Sequence, residues 1–351
     1  MPLHPGAFLF GHIADALARP ALIRLRPGLY VLRFESMKVA SALGAVEQLM
    51  ADGTITPGDT LVDSSSGIYA YSLALACNKY GFNCHIVASP AVDPTLRTQL
   101  ELLGVSVDQP TASADAKLDQ AGRVERAIEF VKNHPRAHWM RQYHDRAHYA
   151  GYASIARQLA DDLPATRIAL VGGVGTGAST GGLHQTLGDL GREVELIGVQ
   201  PYGSVSFASQ DVEDPEFLIA GIGSGIPFAN IEYGAYSDIH WIDFTYARSG
   251  CVELLREYGV FAGLSSGAAY VVGEWRASRI GFDEEYPVVC IAPDTGHRYL
   301  AEVFTSEVPV VTRDPQRYPL EVSRAEDLAL PWCRTNWRRH GHAFPKPQGD
   351  A

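Results

Sequence analysis

Lysine is scarce in this chain, with five among 351 residues: Lys38, Lys79, Lys117, Lys132 and Lys346. Positive charge is in deficit overall, 29 lysines and arginines against 40 acidic residues, and the formal charge of -11 argues against nucleic acid or a membrane surface as the main partner. No apolar run reaches transmembrane length, and the first 20 residues hold no signal-peptide core. The five cysteines (Cys77, Cys84, Cys251, Cys290 and Cys333) include no CxxC pair and read as reduced thiols of a cytoplasmic protein. There is no HExxH pattern, no Gly-Lys-Ser/Thr ending to any glycine run and no internal repeat.

Glycine, by contrast, is concentrated. Gly172 to Gly182 reads Gly-Gly-Val-Gly-Thr-Gly-Ala-Ser-Thr-Gly-Gly, preceded by the apolar strand Ile168–Val171 and followed by a helix from Leu183 to Leu190. A strand-loop-helix junction of this kind lets backbone N–H groups converge on an anion at a helix N-terminus. Without a lysine nearby it is not an ATP-type loop. A dinucleotide site would want an acid about 20 residues on, where this chain has Gln200-Pro201.

The chain is long enough for two subdomains. Strands are expected at Leu29–Phe34, Thr60–Asp63, Cys84–Ala88, Val105–Val107, Val194–Val199 and Val288–Ala292. Helices are expected at 39–50, 68–80, 94–103, 122–132 and 251–258. This alternation implies parallel sheets covered by helices on both faces. Residues 111–118 read as a loop, and Trp332 to His342 as a loosely docked or disordered tail.

Lys38 stands at a strand-to-helix turn, where the helix dipole disfavours a cation. Ser64-Ser65-Ser66-Gly67 opens a helix as a second anion site suited to a carboxylate, and Ile219–Pro227 is a further glycine-rich loop. The segment from Trp139 to His148 crowds Arg141, His144, Asp145, Arg146 and His148 around Gln142. Lacking cysteine partners, it reads as a polar wall of a substrate cleft rather than a metal site, and its positive charge favours an anionic substrate.

Taken in order, these motifs resemble the fold-type II pyridoxal-phosphate enzymes, nearest the cysteine synthase and cystathionine β-synthase branch, over about residues 20 to 305. Gly175-Thr176-Gly177-Ala178-Ser179-Thr180-Gly181 resembles that family's phosphate loop, and Gly221 to Pro227 its loop over the substrate. Ser265-Ser266-Gly267-Ala268-Ala269 is similar to its pyridine-nitrogen site, and Pro293 to Leu300 to its closing strand-turn-helix.

The resemblance implies two open twisted, mostly parallel sheets, as in the tryptophan synthase β-like fold, with pyridoxal 5'-phosphate in the cleft between them. It makes Lys38 the Schiff-base lysine and base. It places Gly175, Thr176, Gly177, Ala178, Ser179 and Ser265 on the cofactor, and Ser65, Ser66, Gly67, Tyr69, Gln142 and Gly223 on the amino-acid substrate. Residues 1–38 and 147–325 would form the larger domain, 39–146 a smaller mobile one and 326–351 a tail. The implied reaction is β-replacement on an O-activated L-serine, acetyl or phospho, with a sulfur or amine nucleophile, in a cytoplasmic homodimer. β-Elimination and a non-catalytic ligand-binding scaffold are the alternatives.

Three departures from the family pattern point to an unusual leaving group or nucleophile. The loop before Lys38 is shortened, Ile68 replaces an asparagine, and His144-Asp145-Arg146-Ala147-His148 replaces a neutral segment.

Overall fold

The computed structural model describes residues 9–89, 92–109, 116–215, 219, 221–304, 311 and 317–347. Its strands, in chain order, are β1 (Ala21–Arg26), β2 (Leu29–Arg33), β3 (Thr60–Ser64), β4 (Asn83–Val87), β5 (Ser106–Asp108) and β6 (Ala137–Trp139). The second half adds β7 (Arg167–Gly173), β8 (Glu193–Gln200), β9 (Tyr236–Ile242), β10 (Val288–Ala292), β11 (Leu320–Glu321) and β12 (Trp332–Asn336).

They form two sheets. The larger has the order β1-β2-β10-β7-β8-β9-β12-β11, the smaller β5-β4-β3-β6. From β2 through β9 the large sheet is parallel, as is the whole small sheet, while β1 pairs antiparallel with β2 and β12 antiparallel with β9, with β11 parallel to β12 at the edge.

Strands buried on both faces read as unbroken apolar runs, and their side chains divide by alternation. Ile168 and Leu170 pack with Leu196, Val289 and Ile291 on one face of the large sheet. Ala169 and Val171 pack with Ile197, Val199 and Cys290 on the other. The small sheet repeats the pattern, with Leu61, Cys84 and Ile86 on one side and Val62 and Val87 on the other. The expected architecture of two mostly parallel sheets flanked by helices is the one observed.

Three expectations are corrected. The helix expected from residue 39 begins at Met37, so Lys38 lies inside its first turn. Residues 111–115 of the expected 111–118 loop lie outside the described residues, and from Ala116 the chain is helical through Asn133. The C-terminal segment is no loose tail: Trp332–Asn336 pairs residue by residue with β9, and Trp332, Trp337 and Phe344 are buried. Its arginines misled the reading, because Arg334 turns inward to Asp238 at 2.7 Å.

Candidate active site

Parallel strands open their C-terminal ends to ligands. Here the chain leaving β2 brings Lys38 to Thr176 beyond the end of β7, within electrostatic reach of Asp63 near the end of β3. The turn after β2 is fastened to the turn after β10, since the Phe34 and Met37 amides donate to the carbonyls of Ala292 and Pro293 at 2.9 and 2.8 Å. The helix Met37–Ala51 then leaves over the 146–152 turn at backbone contact. A Cβ on Gly44 would sit 2.1 Å from the Gly151 nitrogen, and one on Gly151 would sit 1.9 Å from the Ala40 carbonyl oxygen. Those two glycines set where Lys38 stands.

The Lys38 amine donates to the Thr176 hydroxyl at 3.3 Å. Burial pushes its pKa down to about 8, partly opposed by the charge of Asp63. The side chain as a whole is half-buried.

Thr176 belongs to the glycine turn between β7 and the helix Ala178–Asp189. Gly177 takes φ +81° as that helix's N-cap, and a Cβ there would lie 2.9 Å from the Asn230 carbonyl oxygen. A Cβ on Gly175 would lie 2.6 Å from the Gly221 carbonyl oxygen. The turn is thus closed from outside by backbone; the Ala178 N–H reaches the Thr176 hydroxyl oxygen at 3.4 Å, and the other N–H groups of the first turn have no acceptor within the helix. Thr176 and Ser179 are buried beside them. Thr180, in contrast, is spent on the scaffold, bonded to the Gly177 carbonyl at 3.2 Å and to the Tyr236 hydroxyl at 2.8 Å.

Ser265, in the first turn of the helix Leu264–Arg279, is buried, and its Cβ lies 3.7 Å from where a Cβ on Gly173 would be. The neighbouring Ser266 hydroxyl is buried with no hydrogen-bond partner. Gly223 takes φ +71° and donates its N–H to the Val174 carbonyl at 2.9 Å, which lays the Gly221–Pro227 loop against the glycine turn.

On the small-sheet side, the Ser65 oxygen accepts the Ala70 and Gly67 amides at 3.2 and 3.4 Å, and Ser66 accepts the Ser89 amide at 2.6 Å. Their hydroxyl protons stay available to an anion. Gln142 donates its side-chain amide to the Ser64 carbonyl at 2.9 Å and its backbone N–H to Asp63 at 3.0 Å. Asn230 spans from the large-sheet side to the Gln142 and Asp145 carbonyls at 3.0 and 3.1 Å.

Two features escaped the sequence. Asp63, last but one in β3, is buried; burial pushes its carboxyl up to about 7 against the Gln142 and Ser64 amides, the Trp139 indole and Lys38. Tyr69, expected on the substrate, meets His148 at 2.7 Å, a pairing across two elements that no local spacing reveals.

The basic wall is not assembled as expected. Arg146 is exposed and paired with Glu232 at 2.5 Å, and Arg141 lies over the Trp139 ring. Asp145 caps its own turn by accepting the Ala147 amide at 2.9 Å. Of that segment, Gln142 bonds to Asp63 and Ser64 at the end of β3, and His148 feels the charge of Lys38. Among the described residues no cluster of His, Cys, Asp or Glu could hold a metal ion.

A lysine amine beside a backbone-walled anion cradle, with buried serine hydroxyls behind, fits pyridoxal phosphate. The profile of the family described as pyridoxal-phosphate dependent enzyme matches residues 30–294. The chain belongs to this family. It is 30% identical to an N-(2-amino-2-carboxyethyl)-L-glutamate synthase of Ralstonia nicotianae, over 78% of this chain and 79% of the relative. It is 32% identical to the protein of that name from Cupriavidus metallidurans, over 84% of each. The fold is that of O-acetyl serine sulfhydrylase isoform 3 from Entamoeba histolytica, at a TM-score of 0.76 and 20% identity, covering 89% of this chain and 96% of that one. The expected β-replacement on an O-activated serine holds in this company.

Proposed function

We propose that the protein joins the β-carbon of an O-activated L-serine to the amine of a second amino acid, as the name of the two bacterial synthases describes for L-glutamate. The observation that carries the reading is the 3.3 Å contact between the Lys38 amine and Thr176, which sets a reactive amine against an anion cradle. In this reading Lys38 holds pyridoxal phosphate covalently, the Gly175–Ser179 turn holds its phosphate and Ser265 faces its ring nitrogen. Bound there, the cofactor supplies the electron sink for charge developing at the substrate α-carbon.

Everything else falls to side chains. The Lys38 amine, with its pKa lowered to about 8, takes the α-proton near neutral pH. The Ser65 and Ser66 hydroxyls, the Gly67 backbone and the Gln142 amide bind the serine carboxylate. Gly223 closes the mouth of the crevice. Residues 39–146 form the part that moves when it closes, and the five buried, unpaired cysteines suit a reducing cytoplasm. A homodimer completes the reading.

The test is to incubate holoenzyme with O-acetyl- or O-phospho-L-serine and a panel of amino acids, amines and sulfide, and to identify products by mass. A secondary amine carrying the three-carbon unit is expected. Pyruvate as the sole product would make the protein an eliminase, and cysteine formed faster than every amine adduct would make it a cysteine synthase.

A further inference from the structure

The hydrogen-bond polarity at Tyr69 is fixed by a chain of contacts behind it. His148 Nδ1 lies 3.0 Å from the Asp145 carbonyl oxygen, which can only accept, so the ring proton is on Nδ1. Burial pushes the imidazole down to about 4, so the ring is neutral at pH 7 and Nε2 carries only a lone pair. Tyr69 Oη stands 2.7 Å from that nitrogen and must donate to it. The phenol's one proton is therefore committed, and its remaining lone pairs face elsewhere. Among the described residues no donor reaches them.

The pair lies within electrostatic reach of Lys38 and Asp63: His148 feels the charge of Lys38, and Tyr69 that of Asp63. Both side chains are buried, Tyr69 at 3% and His148 at 1% exposure, so the polarity is not averaged by water.

From this geometry we infer that Tyr69, oriented by His148, is the acceptor that receives an N–H of the incoming nucleophile and makes the site select amines over sulfur. The inference rests on the amine-transfer reading above. The carbon–oxygen bond to acetate or phosphate breaks as the α-proton passes to Lys38; the amine nitrogen then bonds to the β-carbon through its lone pair, the α-carbon takes its proton back from Lys38, and the nitrogen's surplus proton passes to solvent. Throughout the approach the nitrogen keeps an N–H to give to Tyr69. Hydrosulfide offers only a weak S–H donor and a negative sulfur that the phenol lone pairs repel. The same lone pairs would repel a carboxylate, so Tyr69 serves the second substrate rather than the serine carboxylate. His148 acts through Tyr69 and is a positioning residue.

The experiment compares wild-type and Tyr69→Phe holoenzyme with O-acetyl-L-serine, using L-glutamate as the amine probe and sulfide as the sulfur probe. The cofactor absorbance change with acetylserine alone monitors the intact first half of the reaction. The expected result is a fall in the amine-to-sulfide ratio of kcat/KM by about tenfold to a hundredfold, the range of a lost hydrogen bond to a charged or charge-developing group. His148→Phe, which keeps the phenol but frees its proton, should lower the same ratio. Equal losses on both nucleophiles, or an unchanged ratio, in Tyr69→Phe overturn the inference while leaving amine transfer standing. A wild-type enzyme that prefers sulfide to every amine overturns both.

Discussion

Lys38 and Thr176, one in the first turn of its helix and the other in the glycine turn after β7, meet at 3.3 Å, so the anion cradle and the reactive amine are placed by a single contact. Replacing Lys38 by alanine should leave a folded protein that holds cofactor only non-covalently, with turnover lowered by about 10²–10⁴-fold, the usual weight of a positioned acid or base. Borohydride reduction followed by peptide mapping checks it; a label on any other lysine contradicts the assignment.

The lowered lysine pKa has a direct kinetic reading. Below its pKa the amine is an ammonium and cannot attack an aldehyde, so uptake of pyridoxal phosphate by the apoprotein should accelerate with rising pH through a midpoint near 8. The Asp63 charge raises that pKa. Asp63→Asn should therefore move the midpoint downward, and an upward shift would show that the two groups are not coupled as described.

Gly44 offers a steric test of how the lysine helix is seated. An alanine there would bring its Cβ 2.1 Å from the Gly151 nitrogen, too close for backbone to yield cheaply. Gly44→Ala should lose about 1–3 kcal/mol in denaturant titration, the cost of overpacking, and weaken cofactor retention along with it. Gly188→Ala, a helical position with nothing within 4 Å of the new carbon, is the control and should be neutral or slightly stabilising.

Arg146 should matter little. It is exposed and paired with an exposed Glu232. Arg146→Ala should change stability by less than about 1 kcal/mol and leave the preference for acetyl- or phosphoserine as it was. A selective loss of the phospho substrate would restore the basic-wall reading.

The C-terminal segment makes the opposite prediction. Phe344 is buried, stacked on Trp241 with ring centroids 5.3 Å apart. Phe344→Ala should cost about 3–5 kcal/mol by thermal or chemical unfolding. Removing residues 326–351 should leave an insoluble or unfolded product.

What the sequence made legible follows from local chemistry. Ile168–Val171 is an unbroken apolar run because both of its faces are buried, and the glycine run after it is dense because backbone oxygens of Gly221 and Asn230 crowd Gly175 and Gly177. β9 and β12 stayed hidden for a shared reason. Buried Asp238 and His240 make β9 look unlike a core strand, and they are answered on β12 by Arg334 at 2.7 Å and by the Trp332 indole at 3.1 Å. Each strand makes sense only beside the other, some ninety positions away. The Tyr69–His148 pair was out of reach in the same way, because it joins two elements some eighty positions apart and its polarity rests on a proton held by the carbonyl of Asp145, the residue that caps the turn of His148.

The order of the large sheet also bears on how the protein is made. β2, which delivers Lys38, has only the β1 hairpin beside it until β10, residues 288–292, pairs along its other edge. A nascent chain leaving the ribosome therefore exposes that edge through most of its synthesis, a long interval in which aggregation competes with folding. The cofactor can be captured only late, once nearly all of the polypeptide has emerged.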